Sequence, residues 1–295
     1  EDSEHWMETC VSATWIKFCA QLLRLTGDPS YAESIELAAY NALAAAQRAD
    51  GKWWAHYSRM KGARTPAPEQ SGMHMNCCVA SGPRALFLLP KIAYMSGRGN
   101  SVYVNLYENG FGKVRVPSVD GKVALNVSGV DFGAEKLRAK IALEMPKGLH
   151  PFSVCLRIPS WSKKTEISVN GQKAAAPDAG IYAVLKRDWK SGDEIEIEFD
   201  SRAFVERDPS NPSLVAVRRG PYVYALDRRF DPSFDKPFKP AIDGDGFLKS
   251  AVPVKVDGVS SALKVRGTGG ESRIFVDYPS AGSTWAKDSE FRVWQ

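Results

Sequence analysis

The hydrophobic period of this 295-residue chain changes near residue 98, and that switch limits the fold more than any single motif does. Upstream, Met7, Val11, Trp15, Phe18, Leu22 and Leu25 recur every three or four residues, the spacing of an amphipathic helix. The run stops at Gly27. Asp28 then offers an N-cap and Pro29 suits a first helical position, so a second, alanine-rich helix is expected over residues 29–49, closing at Asp50-Gly51. A loop over 52–80 and a third helix opening at Pro83 and kinked by Pro90 complete this half. Downstream the period is two: Phe152, Val154, Leu156 and Ile158 share a strand face, and Ile195, Ile197 and Phe199 alternate with Glu194, Glu196 and Glu198. Asp120-Gly121, Asn170-Gly171 and Gly192-Asp193 fall between strand-like runs, and Asn-Gly suits a tight type I′ hairpin. Helices followed by strands predict an α+β multidomain chain, with a helical unit over 1–98, an antiparallel β-sandwich over 99–228, and a less regular segment with short strands over 229–295.

A hydrophobic content of 44% over this length supplies enough apolar surface for two cores and excludes a disordered chain. No run approaches the roughly 18 apolar residues of a membrane-spanning helix, and the start lacks the pattern of a signal peptide, so no membrane partner is expected. The first residues, Glu1 to Trp6, carry no initiator methionine and lead straight into a helical pattern, as in a record that begins inside a longer protein. The net charge of +5 is spread along the chain. Its two clusters, Arg59/Lys61/Arg64 and Arg218/Arg219/Arg228/Arg229, show no aromatic-basic alternation and read as solvated faces, not as a nucleic-acid surface. Five cysteines, two of them adjacent, do not form a disulfide framework. Reduced thiols or metal ligands are the better reading, and reduced thiols favour the cytoplasm; oligomeric state is not legible.

The densest set of metal-ligating side chains is Glu8 and Cys10 with Cys77 and Cys78, one carboxylate and three thiols, as a tetrahedral zinc ion requires. Glu8 and Cys10 are two apart, so both reach one ion only if the segment is extended or lies at the first helical turn. Buried, inert cysteines are the alternative. Trp53, Trp54, His56 and Tyr57 offer rings either to a sugar or to a core, and His74, three residues before Cys77, either meets substrate or sits on a surface loop. His5 and His150 have no assigned role, and Cys19 and Cys155 fall inside a helix and a strand as structural residues. Asp243-Gly244-Asp245-Gly246 lacks the carboxylate a calcium loop needs at Val254, and Gly267-Thr268-Gly269-Gly270 lacks the helix or Lys-Ser/Thr pair of a phosphate cradle.

Several strings, taken in order, carry a family resemblance. Glu8-Thr9-Cys10-Val11-Ser12, Leu23-Arg24-Leu25-Thr26-Gly27-Asp28, Tyr40-Asn41-Ala42, Asp50-Gly51 and Asn76-Cys77-Cys78 are followed by Val104-Asn105-Leu106-Tyr107, Leu156-Arg157-Ile158-Pro159-Ser160-Trp161, Val169-Asn170-Gly171 and Arg219-Gly220-Pro221-Tyr222-Val223-Tyr224. Together they resemble glycoside hydrolase family 127, the β-L-arabinofuranosidase-like enzymes. The resemblance implies the C-terminal helices of an (α/α)6 barrel followed by a β-sandwich. It further implies a retaining hydrolase in which Cys77 attacks the anomeric carbon while Glu8, Cys10, Cys77 and Cys78 hold Zn2+; apart from the resemblance, Trp54, His56 and His74 are weaker substrate-binding candidates. In that family the general acid/base is a glutamate upstream of the Glu-Thr-Cys string. Glu1 and Glu4 stand too close to be that residue, so the acid and most of the barrel are expected outside these residues, which alone should be inactive. The stretch Val79-Ala80-Ser81-Gly82-Pro83-Arg84 departs from the family's proline-rich continuation, which leaves the released sugar as terminal L-arabinofuranose or a relative. The alternative is a non-catalytic carbohydrate-binding or scaffold protein with structural zinc or buried cysteines.

Overall fold

The computed structural model describes residues 7–70, 72 and 74–295; Glu1, Glu4 and His5, weighed above, lie outside the described residues. Helix Thr9–Thr26 ends where Gly27 takes a left-handed conformation (φ 73) and donates its N–H to the Leu23 carbonyl at 2.8 Å. Asp28 then caps the next helix by accepting the Ser30 N–H at 2.9 Å, with Pro29 in the first position. That helix, Pro29–Leu37, runs on through a π-helical turn, Ala38–Leu43, into Ala44–Ala46. The widened turn has a local cause. Asn41 Nδ2 donates to the Leu37 carbonyl, the one an α-helix would reserve for the Asn41 backbone N–H, and also to the Pro221 carbonyl, both at 2.9 Å.

Two helical expectations are corrected. The stripe Met7, Val11, Trp15, Phe18 and Leu25 is exposed, while Thr9, Ser12, Ala13, Ile16, Cys19, Ala20 and Leu23 are buried. The smaller residues turn inward because they let this helix lie close to Ala32, Ile35 and Ala39 in a shared core. The third helix begins at Cys77 and not at Pro83: Cys77–Leu86 is capped by Asn76, whose side chain accepts the Cys78 N–H at 2.7 Å. Pro83 is tolerated inside it, and a shorter helix, Leu89–Ala93, follows.

Strands begin at Tyr94–Gly97, which pairs with Ser101–Val104. One sheet runs in the order 172–175, 166–169, 194–198, 138–144, 123–128, 110–114, and a second in the order 182–189, 150–157, 101–104, 94–97. Pairing is antiparallel within both except that Ser101–Val104 runs parallel to His150–Arg157. The expected alternation holds, since Phe152, Val154, Leu156, Ile195 and Ile197 are buried in the core that these sheets share with the helices. Asn170 and Gly171, both with positive φ (51 and 75), form the two-residue turn between Glu166–Val169 and Gln172–Ala175. A third antiparallel sheet joins Ala203–Arg207, Val215–Arg219 and Tyr222–Asp227 to Ser272–Asp277, Ala262–Arg266 and Ala251–Val254. Strands on either side of residue 228 thus share one sheet, so the segment beyond it is more regular than its sequence conveys. No helix among the described residues is long and apolar enough to cross a membrane.

The two arginine clusters are not simple solvated faces. Arg64, 1% exposed, donates to the Ala281 and Tyr278 carbonyls at 2.9 and 2.7 Å and lies over the Tyr278 and Phe291 rings. Arg219, equally buried, donates to four backbone carbonyls. Helices and sheets are tied by a buried ion pair. Arg157 on strand His150–Arg157 donates to Glu36, whose other oxygen accepts the Trp161 indole N–H at 3.0 Å. Replacing Glu36 with Ala strands the Arg157 charge, and we expect a loss of about 3–5 kcal/mol in denaturant unfolding. Replacing Glu36 and Arg157 together by apolar side chains of similar volume should recover most of that loss.

Candidate metal centre

Backbone pairing sets the first ligand. Met7–Glu8 pairs with Tyr57–Ser58, Thr9 donates its N–H to the His56 carbonyl at 2.9 Å, and the Thr9 hydroxyl donates to the Ala55 carbonyl at 2.7 Å. Glu8 is extended (φ −69, ψ 151) and sits at the helix N-cap without bonding the helix through its carboxylate. Cys10 lies in the first helical turn just beyond it. The two-residue spacing is thereby reconciled with a common target, as an extended residue followed by a helical one turns both side chains the same way.

The other two ligands stand at the start of Cys77–Leu86. Asn76, fully buried, holds this turn from both ends: its carbonyl oxygen accepts the Cys78 N–H, and its amide donates to the Pro68 carbonyl at 2.8 Å. The Cys77 N–H donates to Gln70 Oε1 at 3.1 Å. These supports escaped the sequence reading, although asparagine directly before a cysteine pair is itself an N-cap signal.

The four donors, Glu8, Cys10, Cys77 and Cys78, have ligand atoms within 4.8 Å of one another. Cys10 Sγ lies 3.5 Å from Cys78 Sγ, which lies 3.9 Å from Cys77 Sγ. A tetrahedral ion with metal–sulfur bonds of about 2.3 Å needs sulfurs about 3.8 Å apart, so the donor set and its spacing fit a soft divalent cation. Cys78 is buried, Cys10 intermediate and Cys77 exposed. In the metal-free chain, burial pushes the Cys78 thiol up to about 12, and the hydrogen bond to Cys10, followed by burial, raises Cys77. Opposing this, the N-termini of an 18-residue and a 10-residue helix lie beside the thiols, where the positive ends of their dipoles favour negative charge.

His56 is the one weaker candidate that touches this group. Its Nε2 stands 3.3 Å from Glu8 Oε1, its ring stacks on Tyr57 at 4.2 Å, and its carbonyl accepts from Cys78 Sγ at 3.7 Å. Trp54, of the two roles open to it, packs in the core: it is 3% exposed and lies against Gly82, where a Cβ would stand 2.3 Å from the ring. His74 is exposed on its loop, 3.0 Å from Glu69, and is not among the grouped donors. Cys19 and Cys155 are buried away from them, and all five cysteines are free.

Comparison with known proteins points the same way. Residues 1–91 match the model of the β-L-arabinofuranosidase GH127 catalytic domain, and residues 101–201 that of the GH127 middle domain. A curated relative, the non-reducing end β-L-arabinofuranosidase of Bifidobacterium longum subsp. longum, is 25% identical over 76% of this chain and 36% of its own length. A solved structure titled glycoside hydrolase superposes with a TM-score of 0.82 at 24% identity, over 100% of this chain and 52% of its own. The GH127 β-L-arabinofuranosidase of Geobacillus stearothermophilus T6 gives 0.75 at 20% identity, over 99% and 50%. The chain therefore spans about half the length of these solved relatives.

Because Asn76 caps the helix that carries two of the donors, Asn76→Ala should cost about 1–2 kcal/mol of stability. Thermal unfolding should show this loss, with Asn76→Asp, which keeps the accepting oxygen, losing less.

Proposed function

The chain belongs to glycoside hydrolase family 127, and from that premise we propose that it is part of a retaining glycosidase with Cys77 as nucleophile and Glu8, Cys10, Cys77 and Cys78 as ligands of a zinc ion. One observation carries the reading: among four donors gathered for a metal, the Cys77 sulfur faces solvent while Cys78 is buried. A structural zinc site needs no approach to its donors, whereas a catalytic one must keep a position open; the exposure of Cys77 favours the second over the scaffold reading.

Bound zinc would keep the thiols deprotonated at neutral pH. The chain's own residues do the rest. Cys77 Sγ attacks the anomeric carbon, the C–S bond forms as the glycosidic C–O bond breaks, and the leaving oxygen takes a proton from a general acid. Water then attacks the same carbon and gives up its proton to that residue as base; the C–S bond breaks, and two inversions retain the configuration. Glu8 is committed as a ligand, so we assign the acid to a residue outside these 295, in the part of the fold that the longer relatives possess. The exposed stripe of Val11, Trp15, Phe18 and Leu25 is consistent with a helix that belongs to a larger (α/α)6 barrel. On this reading residues 1–98 end the catalytic barrel and the sheets beyond brace it, and the sugar released is terminal L-arabinofuranose or a relative.

Purified under reducing conditions without chelator, the chain should carry about one zinc, bound more weakly in Cys78→Ala and Glu8→Ala; a metal-free wild-type chain would sink the site. Since Cys77 and Cys78 hold their protons more tightly than ordinary thiols, metal binding must expel those protons. Affinity should therefore rise with pH, by up to about 100-fold per unit if two protons are released. In the full-length protein, Cys77→Ala should lower kcat by at least about a thousandfold while retaining metal through the other three donors. A slow substrate should leave one glycosyl group on the Cys77 peptide, and an adduct on a carboxylate instead would overturn the assignment. The 295 residues alone should turn over an aryl β-L-arabinofuranoside little or not at all.

A further inference from the structure

A cleft of about 1070 Å³ opens in the third sheet and shares no lining residue with the thiol group. Its walls bring together Arg207, Lys239, Lys249, Arg266 and Arg292 against a single carboxylate, Glu271. Among charged side chains the lining is thus strongly cationic. Glu271 is turned aside: its carboxylate lies where side chains at Gly267 and Gly269 would stand.

Three of the cations are fixed by a backbone network and do not stand on loose loops. Thr268 donates its N–H to the Lys239 carbonyl at 2.9 Å, Lys249 to Ala241 at 2.8 Å, Ala241 to Arg266 at 3.0 Å and Arg266 to Ser250 at 3.1 Å. Elsewhere in and beside this sheet, Arg218 pairs with Glu206, Arg228 with Glu290 and Arg229 with Asp227, at 2.5 to 2.7 Å, and Arg219 is held by backbone carbonyls. Among the described residues, Arg207, Lys239, Lys249 and Arg266 form no such pair. All four are exposed, with Arg207 donating to the Pro212 carbonyl at 3.0 Å, so their charge is open to an external anion.

We propose that this cleft binds an acidic oligosaccharide, a sugar chain carrying uronate carboxylates, away from the thiol centre; the choice of a carbohydrate rests on the glycosidase reading. The cations would take the carboxylates, while the hydroxyls of Ser213, Ser250 and Thr268 on the same walls suit sugar hydroxyls. A single-stranded nucleic acid fits less well, because the aromatic residue of the lining, Phe238, is 4% exposed and packs on Phe275, leaving no face for bases to stack on. Holding an acidic glycan here would keep its neutral side-chain sugars near the enzyme while each is removed.

Calorimetric titration of the 295-residue chain carrying Cys77→Ala, with an oligogalacturonate of defined length and with its fully methyl-esterified counterpart, tests the proposal. The acid form should bind in low salt, lose affinity at least about tenfold in Lys239→Gln/Arg266→Gln, and weaken as salt is raised; the ester should not bind. Equal binding of acid and ester, unchanged affinity in the double variant, or stronger binding of a single-stranded oligonucleotide would each overturn it. Because the nucleophile is already absent, inactivity of the parent protein does not affect this result, and a failure to bind leaves the Cys77 reading untouched.

Discussion

Four acidic donors within 4.8 Å of one another repel strongly as anions, and much of the helical half can be understood as the means of holding them together. Three thiolates and a carboxylate sum to four negative charges, of which a divalent cation cancels two. Two helix N-termini, each worth roughly half a positive charge, face the remainder. Without a cation the group relaxes by keeping protons, which is why burial and the neighbouring thiol both raise Cys77 and burial drives Cys78 up to about 12.

That convergence depends on contacts far apart in the chain. Met7–Glu8 is fixed by Tyr57–Ser58, some fifty residues on, and the cysteine pair by Asn76 and the Pro68 carbonyl. The helices bearing these donors share a core with the two sandwich sheets, and Glu36 with Arg157 and Trp161 locks the interface. Asn41 ties the helical layer to the third sheet, donating to the Pro221 carbonyl and accepting the Val223 N–H at 2.8 Å. The π turn around Asn41 is thus where local helix regularity gives way to a tertiary contact.

What could be read from the sequence follows from how local each signal is. The Gly27-Asp28-Pro29 break, the Asn170-Gly171 hairpin and the alternating strands were legible because each rests on backbone preferences of a few residues. The donor set was legible because those residue types are chemically scarce. The inward face of Thr9–Thr26 was not, since hydrophobicity favoured the bulky stripe while close helix packing selected the small one. Nor was the burial of Arg64 and Arg219, because charge predicts exposure unless carbonyls gather around it, and those carbonyls come from residues distant in sequence. The third sheet was dim for the same reason: its strands pair across the irregular loop between Asp227 and Ala251.

On the proposed reading, adjacent cysteines would be an odd choice for a zinc site, and the helix would explain the choice. Consecutive residues of a helix point about 100° apart, whereas residues three or four apart share a face. A pair spaced by two or three residues would turn both sulfurs inward and close the site. At the first two positions of Cys77–Leu86, adjacency instead buries Cys78 and leaves Cys77 exposed, while keeping their sulfurs 3.9 Å apart. One helix turn would thereby supply, on the proposed reading, both a buried ligand and a sulfur that a substrate can approach. A metal-held thiolate is a muted nucleophile, because it shares charge with the ion. A site that uses one must let that sulfur loosen while its other ligands stay in place, and Cys78, Cys10 and Glu8 are anchored by a helix start and a strand pair that do not involve the Cys77 side chain.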